Sequence, residues 1–269
     1  MTPLPPPRSF DGGGRLLGRL TVSHPADAYR LAAWLGAFRH RLTRRWPTTG
    51  EVQALFPHLE PRAATAVATR IAALHERNLL LVRTIVGDGI DPVRPLVSVA
   101  ESLTTMQGPK ILGTFHIGAL HAIGAALERL RSPVLELRSG TLFAPRAPLQ
   151  VQSTEGSDQQ RAAALHRALR HLRDGGLVVM TLDVVADRGF DTACLGHPLR
   201  VAPGAFALAR WTNAPIVPVV SRWVSSGIHV HSDEPVRSPD EAAQWLERFL
   251  IASPSEITLG LLRILLGLG

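Results

Sequence analysis

From residue 110 onward, short runs that are apolar on both faces alternate with segments of helical period, and that pattern leaves few folds open. Leu177–Asp183 (LVVMTLD) has no polar stripe until its last residue. Lys110–Phe115 and Ile216–Val224 are similar. A strand without a polar face has to be covered on both sides. Helical periodicity over 117–131, 158–173, 203–212 and 239–250 supplies the covers. The spacing predicts an α/β fold, a mostly parallel central sheet flanked by helices with a helical N-terminal part. Strands are expected at 110–115, 133–138, 177–183, 216–224 and 228–232. The segment around Ser153–Ser157 reads as a polar loop, and Asp174-Gly175-Gly176 as the cap of the 158–173 helix.

Residues 1–28, rich in Pro and Gly, read as a flexible arm. Gly12 to Gly14 do not follow a strand, so they do not make a phosphate loop. The remainder, 29–269, reads as one domain with a helical part over about 29–106 and a sheet core over about 107–269; no repeat or linker divides it. Over 26–45, Leu31, Trp34, Leu35, Phe38 and Leu42 recur at helical spacing, with Arg39, Arg41, Arg44 and Arg45 at the end. The expectation is a core-docked helix whose basic last turn suits the helix dipole. A helix lying on an anionic bilayer is the alternative. Two further helices are expected over 48–86, on either side of FPHLEP. The second carries an apolar face of Val67, Ile71, Leu74 and Leu81.

A chain of 269 residues that is 45% hydrophobic can bury a sizeable core. It has 29 Lys plus Arg against 22 Asp plus Glu, a net charge of +7, and Lys110 is its only lysine. Such a balance favours anionic partners: lipid headgroups, phosphorylated cofactors, nucleic acid or an acidic carrier protein. Nucleic acid is set aside, because no strand joins aromatic to basic residues and Tyr29 is the only tyrosine. The lone Cys194 excludes an intramolecular disulfide and reads as a buried thiol. No apolar run approaches the ~18 residues of a membrane span, and the N-terminus lacks a signal-peptide core. The expected location is the cytoplasm, with peripheral contact at the inner membrane face left open. The final GLLRILLGLG needs burial, in protein or in lipid.

His116 falls where the 110–115 strand gives way to the next helix, the end of an open α/β sheet at which ligands bind. Residues five apart on one regular helix differ in direction by about 140°. His121 could therefore meet His116 only if His116 lies in the turn and points back over the helix. An imidazole with one nitrogen free and the other held by a partner is a general base. A second pattern, His229-Val230-His231-Ser232-Asp233, matches the opening of a zinc-ligand motif: alternate strand residues share a face. Only 36 residues follow it, few for further ligands.

The stretch from His116 to His121 resembles the H-x4-D/E block of the glycerolipid and lipid A acyltransferase superfamily. Residues 177–220 are similar in order and spacing to the second half of the bacterial lauroyl/myristoyl lipid A branch. Asp183 matches an apolar strand ending in Asp, Leu195-Gly196 a Gly turn, and Ala202-Pro203-Gly204 a step into a helix. Leu208–Pro218 matches an L-A-x-x-(T/S)-x-A-P-x-x-P run. LFPHLEP and Arg77-Asn78 resemble the family's helical N-terminal part, so the match covers about 48–258. The resemblance implies acyl transfer from a coenzyme A or acyl-carrier-protein thioester to a lipid, glycolipid or small-molecule acceptor, with no cofactor and no metal. Carried over, His116 is the general base, and His121 or Asp183 its orienting partner. Backbone N–H groups after His116 or near Gly204 would bind the oxyanion, and Arg188 and Arg200 an anionic group of the substrate. The sequence departs from the family in three places. Position 121 holds His instead of a carboxylate, PSEITLGLLRILL stands where an aromatic–arginine tail is usual, and the Pro/Gly arm replaces the lipid A branch's N-terminal span. Behind acyl transfer stand a diverged member acting on carrier-bound acyl groups, such as a thioester hydrolase, and a metal-dependent hydrolase using His229, His231 and Asp233.

Overall fold

A computed structural model describes residues 24–43, 47–138, 149–154, 156–183 and 189–268. Nearly all of the expected N-terminal arm, together with Arg44, Arg45 and Arg188, lies outside them.

Among the described residues, seven strands form the central sheet in the order β1-β9-β8-β2-β5-β3-β4. These are β1 (Val97–Val99), β2 (Lys110–Thr114), β3 (Val134–Arg138), β4 (Leu149–Ser153), β5 (Leu177–Thr181), β8 (Ile216–Val224) and β9 (Gly227–Ser232). All neighbours pair parallel except β8 and β9, which form an antiparallel hairpin. A separate two-stranded ribbon joins β6 (Phe190–Cys194) to β7 (His197–Val201) through Leu195-Gly196, both at positive φ. The fold is the α/β architecture expected, with a mostly parallel sheet between helices. Four described strands lie outside the five expected, β1, β4, β6 and β7: β4 ends at Ser153, where the expected polar loop begins, and the β6–β7 ribbon is hidden because Leu195 is not a turn-forming residue type.

Period-two alternation splits the strand residues between two apolar layers. On one face Ile111, Phe115, Leu135 and Val178 pack under α6 (Asp158–Arg173), α7 (Pro203–Thr212), α8 (Pro239–Ala252) and α9 (Leu259–Leu265). On the other, Leu112, Val134, Val179 and Val219 pack under α1 (Pro25–Thr43), the short α4 (Glu101–Thr104) and α5 (Ile123–Leu127). Helix α2 (Thr49–Leu55), closed by a Thr48–Glu51 capping box, leads to α3 (Pro61–Asp88). The 28 residues of α3 serve both layers: Val67, Ala68 and Ile71 join the first, and Leu80, Leu81 and Ile85 the second. The terminal helix α9 buries Leu261, Leu262 and Leu265 in protein.

Helix α1 presents the face opposite to the one expected. Ala28, Tyr29, Ala32 and Gly36 are buried, whereas Trp34, Phe38 and Leu42 are 58%, 45% and 68% exposed. The cause is close approach to α3: a Cβ on Gly36 would lie 2.7 Å from the Ala72 carbonyl oxygen. A seam of small residues docks the helix, and the larger apolar side chains at i, i+4 and i+8 are left outside.

Candidate active site

Strands β2 and β5 run side by side, and the Leu182 N–H bonds the Thr114 carbonyl just beyond them. That pairing brings their next residues, His116 and Asp183, together at the carboxyl end of the sheet. His116 Nδ1 lies 3.1 Å from Asp183 Oδ2. The His116 backbone N–H donates to the same carboxylate, 3.0 Å from each oxygen. Asp183 is 1% exposed and the His116 side chain 48% exposed. The ring is thus held from beneath by a buried charge while half its surface faces outward. With Nδ1–H donated to the carboxylate, Nε2 carries the lone pair. Burial pulls the His116 pKa down, but the Asp183 charge and hydrogen bond outweigh it and leave the pKa above the ordinary value.

The expected helix directly after His116 does not form. Gly118 adopts φ +56, Leu120–Ala122 is a 3₁₀ turn, and the α-helix begins only at Ile123. A side chain at Gly118 would run into the Ser221 carbonyl. Distant residues fasten this turn. Asn78 Nδ2 donates to the Gly118 carbonyl at 2.8 Å, and Thr258 Oγ1 to the His116 carbonyl at 2.6 Å. The Gly118 N–H bonds the Glu256 carbonyl, the Ala119 N–H that of Ser221 and the Ile117 N–H that of Phe115. These three N–H groups are already bonded, so they are not the oxyanion donors the sequence suggested. Below the turn, Phe115 stacks on Trp245, and Trp245 on Phe249.

His121 makes no hydrogen bond to His116. Burial, with the neighbouring His116 and Arg138 charges, lowers its pKa to about 4, so the ring is neutral at pH 7. Arg138, at the carboxyl end of β3, lies 3.5 Å from Glu136 Oε2. Burial raises the Glu136 pKa despite that arginine. Of the two orienting partners the sequence left open, the carboxylate in contact with His116 belongs to Asp183.

The segment that carries Arg200 and Gly204 adjoins Asp183: Val201 bridges to it, and the Ala202 N–H bonds the Leu182 carbonyl. Arg200 ion-pairs with Asp191 at 3.1 Å across the β6–β7 ribbon. Gly204 packs against α6 and β5, where an added Cβ would be 2.9 Å from Met180 Cε and 3.6 Å from Leu165. Arg188 lies outside the described residues. Cys194 is buried, and burial with the charges of Glu247 and Asp183 pushes its thiol up to about 12, so no thiolate forms there at neutral pH. His229 and His231 stack at 5.7 Å, His229 Nδ1 is 3.0 Å from Ser98 Oγ, and Asp233 accepts from Trp245 Nε1 at 2.9 Å. Among the described residues no three His, Cys, Asp or Glu side chains converge as metal ligands. The strand that carries the two histidines, β9, lies inside the sheet, with β1 paired along its outer side. Asn78 enters the sequence reading only as part of a resemblance in the helical region, and Thr258 not at all: they are single polar residues 40 and 142 positions from their partners, and no local pattern marks their role at the turn.

No model of a known protein family matches the chain. No curated protein matches it. Among solved structures, one similar chain is the crystal structure of the 1-acyl-sn-glycerophosphate (LPA) acyltransferase PlsC from Thermotoga maritima. It is 14% identical, and the alignment covers 89% of this chain and 95% of that one with a TM-score of 0.41. A likeness of that degree carries no inference about activity.

Proposed function

We propose that the protein is an acyltransferase that moves an acyl group from a coenzyme A or acyl-carrier-protein thioester to a hydroxyl of a lipid, glycolipid or small metabolite. The observation that carries this reading is the His116–Asp183 pair: a half-exposed imidazole whose inner nitrogen is held by a buried carboxylate at the end of a parallel sheet. His116 Nε2 takes the proton of the acceptor hydroxyl as its oxygen attacks the thioester carbonyl. A C–O bond forms, and the tetrahedral oxyanion collapses with cleavage of the C–S bond. The departing thiolate takes the proton from Nε2. Asp183 fixes the tautomer and stabilises the imidazolium between the two transfers, and base catalysis of this kind contributes ~10²–10⁴-fold. His121 serves as a neutral N–H donor near the developing charge, which its low pKa suits.

No described helix is long and apolar enough to cross a membrane. The exposed Trp34, Phe38 and Leu42, with Arg41 beside them, support peripheral contact with an anionic bilayer. The test is thiol release from a panel of acyl-coenzyme A and acyl-carrier thioesters, with and without hydroxyl acceptors and with and without chelator. Acceptor-dependent, chelator-resistant release is the expected result. Release that ignores every acceptor would assign the same dyad to thioester hydrolysis, with water as nucleophile. Release abolished by chelation would overturn the reading in favour of a metal site.

A further inference from the structure

A second set of charged side chains lies apart from the His116–Asp183 pair. The start of α1, the middle of α3 and the β8–β9 hairpin line a half-open cavity of about 120 Å³, with Tyr29, Arg30, Arg77, Trp223, Ser225 and Gly227 among its lining. Two arginines share it. The Arg77 guanidinium sits 5.4 Å from the Trp223 ring centroid, and its Nε donates to the Tyr29 carbonyl at 3.4 Å. Among the described residues no carboxylate lies within ion-pair distance of Arg77. Glu256, the acid whose field reaches it, is paired instead with Arg222 at 3.7 Å. Arg30 Nη2 bonds the Ser225 carbonyl at 3.0 Å, and its Nη1 lies 3.3 Å from Asp27, both side chains being exposed at the rim. Burial lowers the Arg77 pKa; Glu256 opposes that and the Arg30 charge adds to it. A half-buried guanidinium beside a like charge, with no acid bonded to it, is the arrangement that an incoming anion relieves.

We infer that this cavity between α1, α3 and the β8–β9 hairpin binds a phosphate group, with Arg77 and Arg30 as its ligands and Trp223 and Tyr29 as its wall. Arginine forks match phosphate oxygens in pairs. One water needs roughly 10–15 Å³ of such space, so the volume leaves room for a phosphate group. Trp223 Nε1 donates to Asn78 Oδ1 at 3.1 Å, and Asn78 holds the Gly118 carbonyl, so the anion's wall and the His116 turn share one hydrogen-bonded chain. The phosphate can arrive free in solution or on a lipid headgroup, because Arg30 belongs to the helix that exposes Trp34, Phe38 and Leu42.

The inference stands apart from the assignment of His116, and its test requires no turnover. Calorimetric titration of the full chain with inorganic phosphate, at constant ionic strength, is run on wild type, Arg77→Gln, Arg77→Lys and Arg30→Gln. Co-sedimentation with phosphatidylcholine vesicles, with and without phosphatidic acid, is run beside it. Saturable binding of phosphate, weakened about tenfold or more by Arg77→Gln and partly kept by Arg77→Lys, is expected for a bidentate contact. Binding of phosphatidic acid vesicles alone, with the same dependence on Arg77, would assign the site to a lipid headgroup. Binding that all three variants leave unchanged, or no binding in either arm, would overturn the inference. Arg77→Lys and Arg30→Gln keep the test decisive if Arg77→Gln fails to fold.

Discussion

Asp183→Asn removes the charge beneath His116 and keeps the shape of the side chain. The carboxamide has nearly the volume of the carboxylate, so the buried site can keep its packing. Its oxygen can still accept the His116 backbone N–H, now bonded at 3.0 Å. Its NH₂ then faces Nδ1 and donates where the carboxylate accepted. With the amide in that orientation the imidazole moves its proton to Nε2, and the atom proposed to take the acceptor's proton no longer has a lone pair; in the opposite orientation the tautomer survives but the charge that stabilises the imidazolium is gone. In a serine-protease triad the equivalent loss of tautomer costs about 10⁴-fold. The whole contribution of a general base is about 10²–10⁴-fold. We therefore expect kcat/KM to fall by about 10²–10⁴, or about 3–5 kcal/mol of barrier, with donor KM little changed. Removing the carboxylate also leaves burial as the dominant influence on His116, so its pKa falls. The acid limb of any residual activity, which marks deprotonation of the base, moves to lower pH. The assay is thiol release across pH for wild type and variant, with urea unfolding as the control for structure. A variant within about threefold of wild type would refute the role of Asp183, given the magnitudes above, and so would an acid limb that moves upward.

Four other expectations follow from the same structure. His121 is held near pKa 4, well below its unfolded value, so it favours the folded state fully above pH 6.5 and loses that contribution as pH falls toward 4. The loss approaches about 3 kcal/mol at 1.36 kcal/mol per unit, and urea unfolding at pH 7.5 and 4.5 should show a flatter pH dependence for His121→Asn. Gly36→Ala should destabilise by about 1–3 kcal/mol through overpacking against Ala72, reversing the usual helical gain; a raised urea midpoint would contradict it. Replacing Trp34, Phe38 and Leu42 together with Ser should leave unfolding nearly unchanged and abolish co-sedimentation with anionic vesicles; retained binding would place membrane contact elsewhere. His229→Ala combined with His231→Ala should leave thioester turnover within about twofold of wild type, because neither ring touches the His116 pair, as is usual for distant sites.

The sheet was legible because its central strands are apolar on both faces, a pattern that only a two-sided cover satisfies. The site was half legible. His116 at a strand end carries its own signal, but its partner depends on which strand pairs with β2. That neighbour is β5, so a residue 67 positions away reaches His116 while His121, five away, does not. In α1 the periodicity was readable and its direction was not. Ala28, Ala32 and Gly36 form a seam close enough to α3 to outweigh the larger side chains on the other face. The helix expected at 117–131 gave way to a turn because Gly118 accepts a positive φ and Asn78, Glu256 and Ser221 hold it from three directions. Such contacts are set by packing across the chain and leave no local spacing to read.

The measurement that bears most directly on the central claim is thiol release by His116→Ala beside wild type, with the best donor found in the thioester panel and a circular dichroism spectrum of each. The expected result is a folded variant whose turnover is lower by at least ~10²-fold, the smallest contribution general for a positioned base. Undiminished turnover in a folded His116→Ala protein would contradict the account and move the chemistry away from the β2–β5 junction.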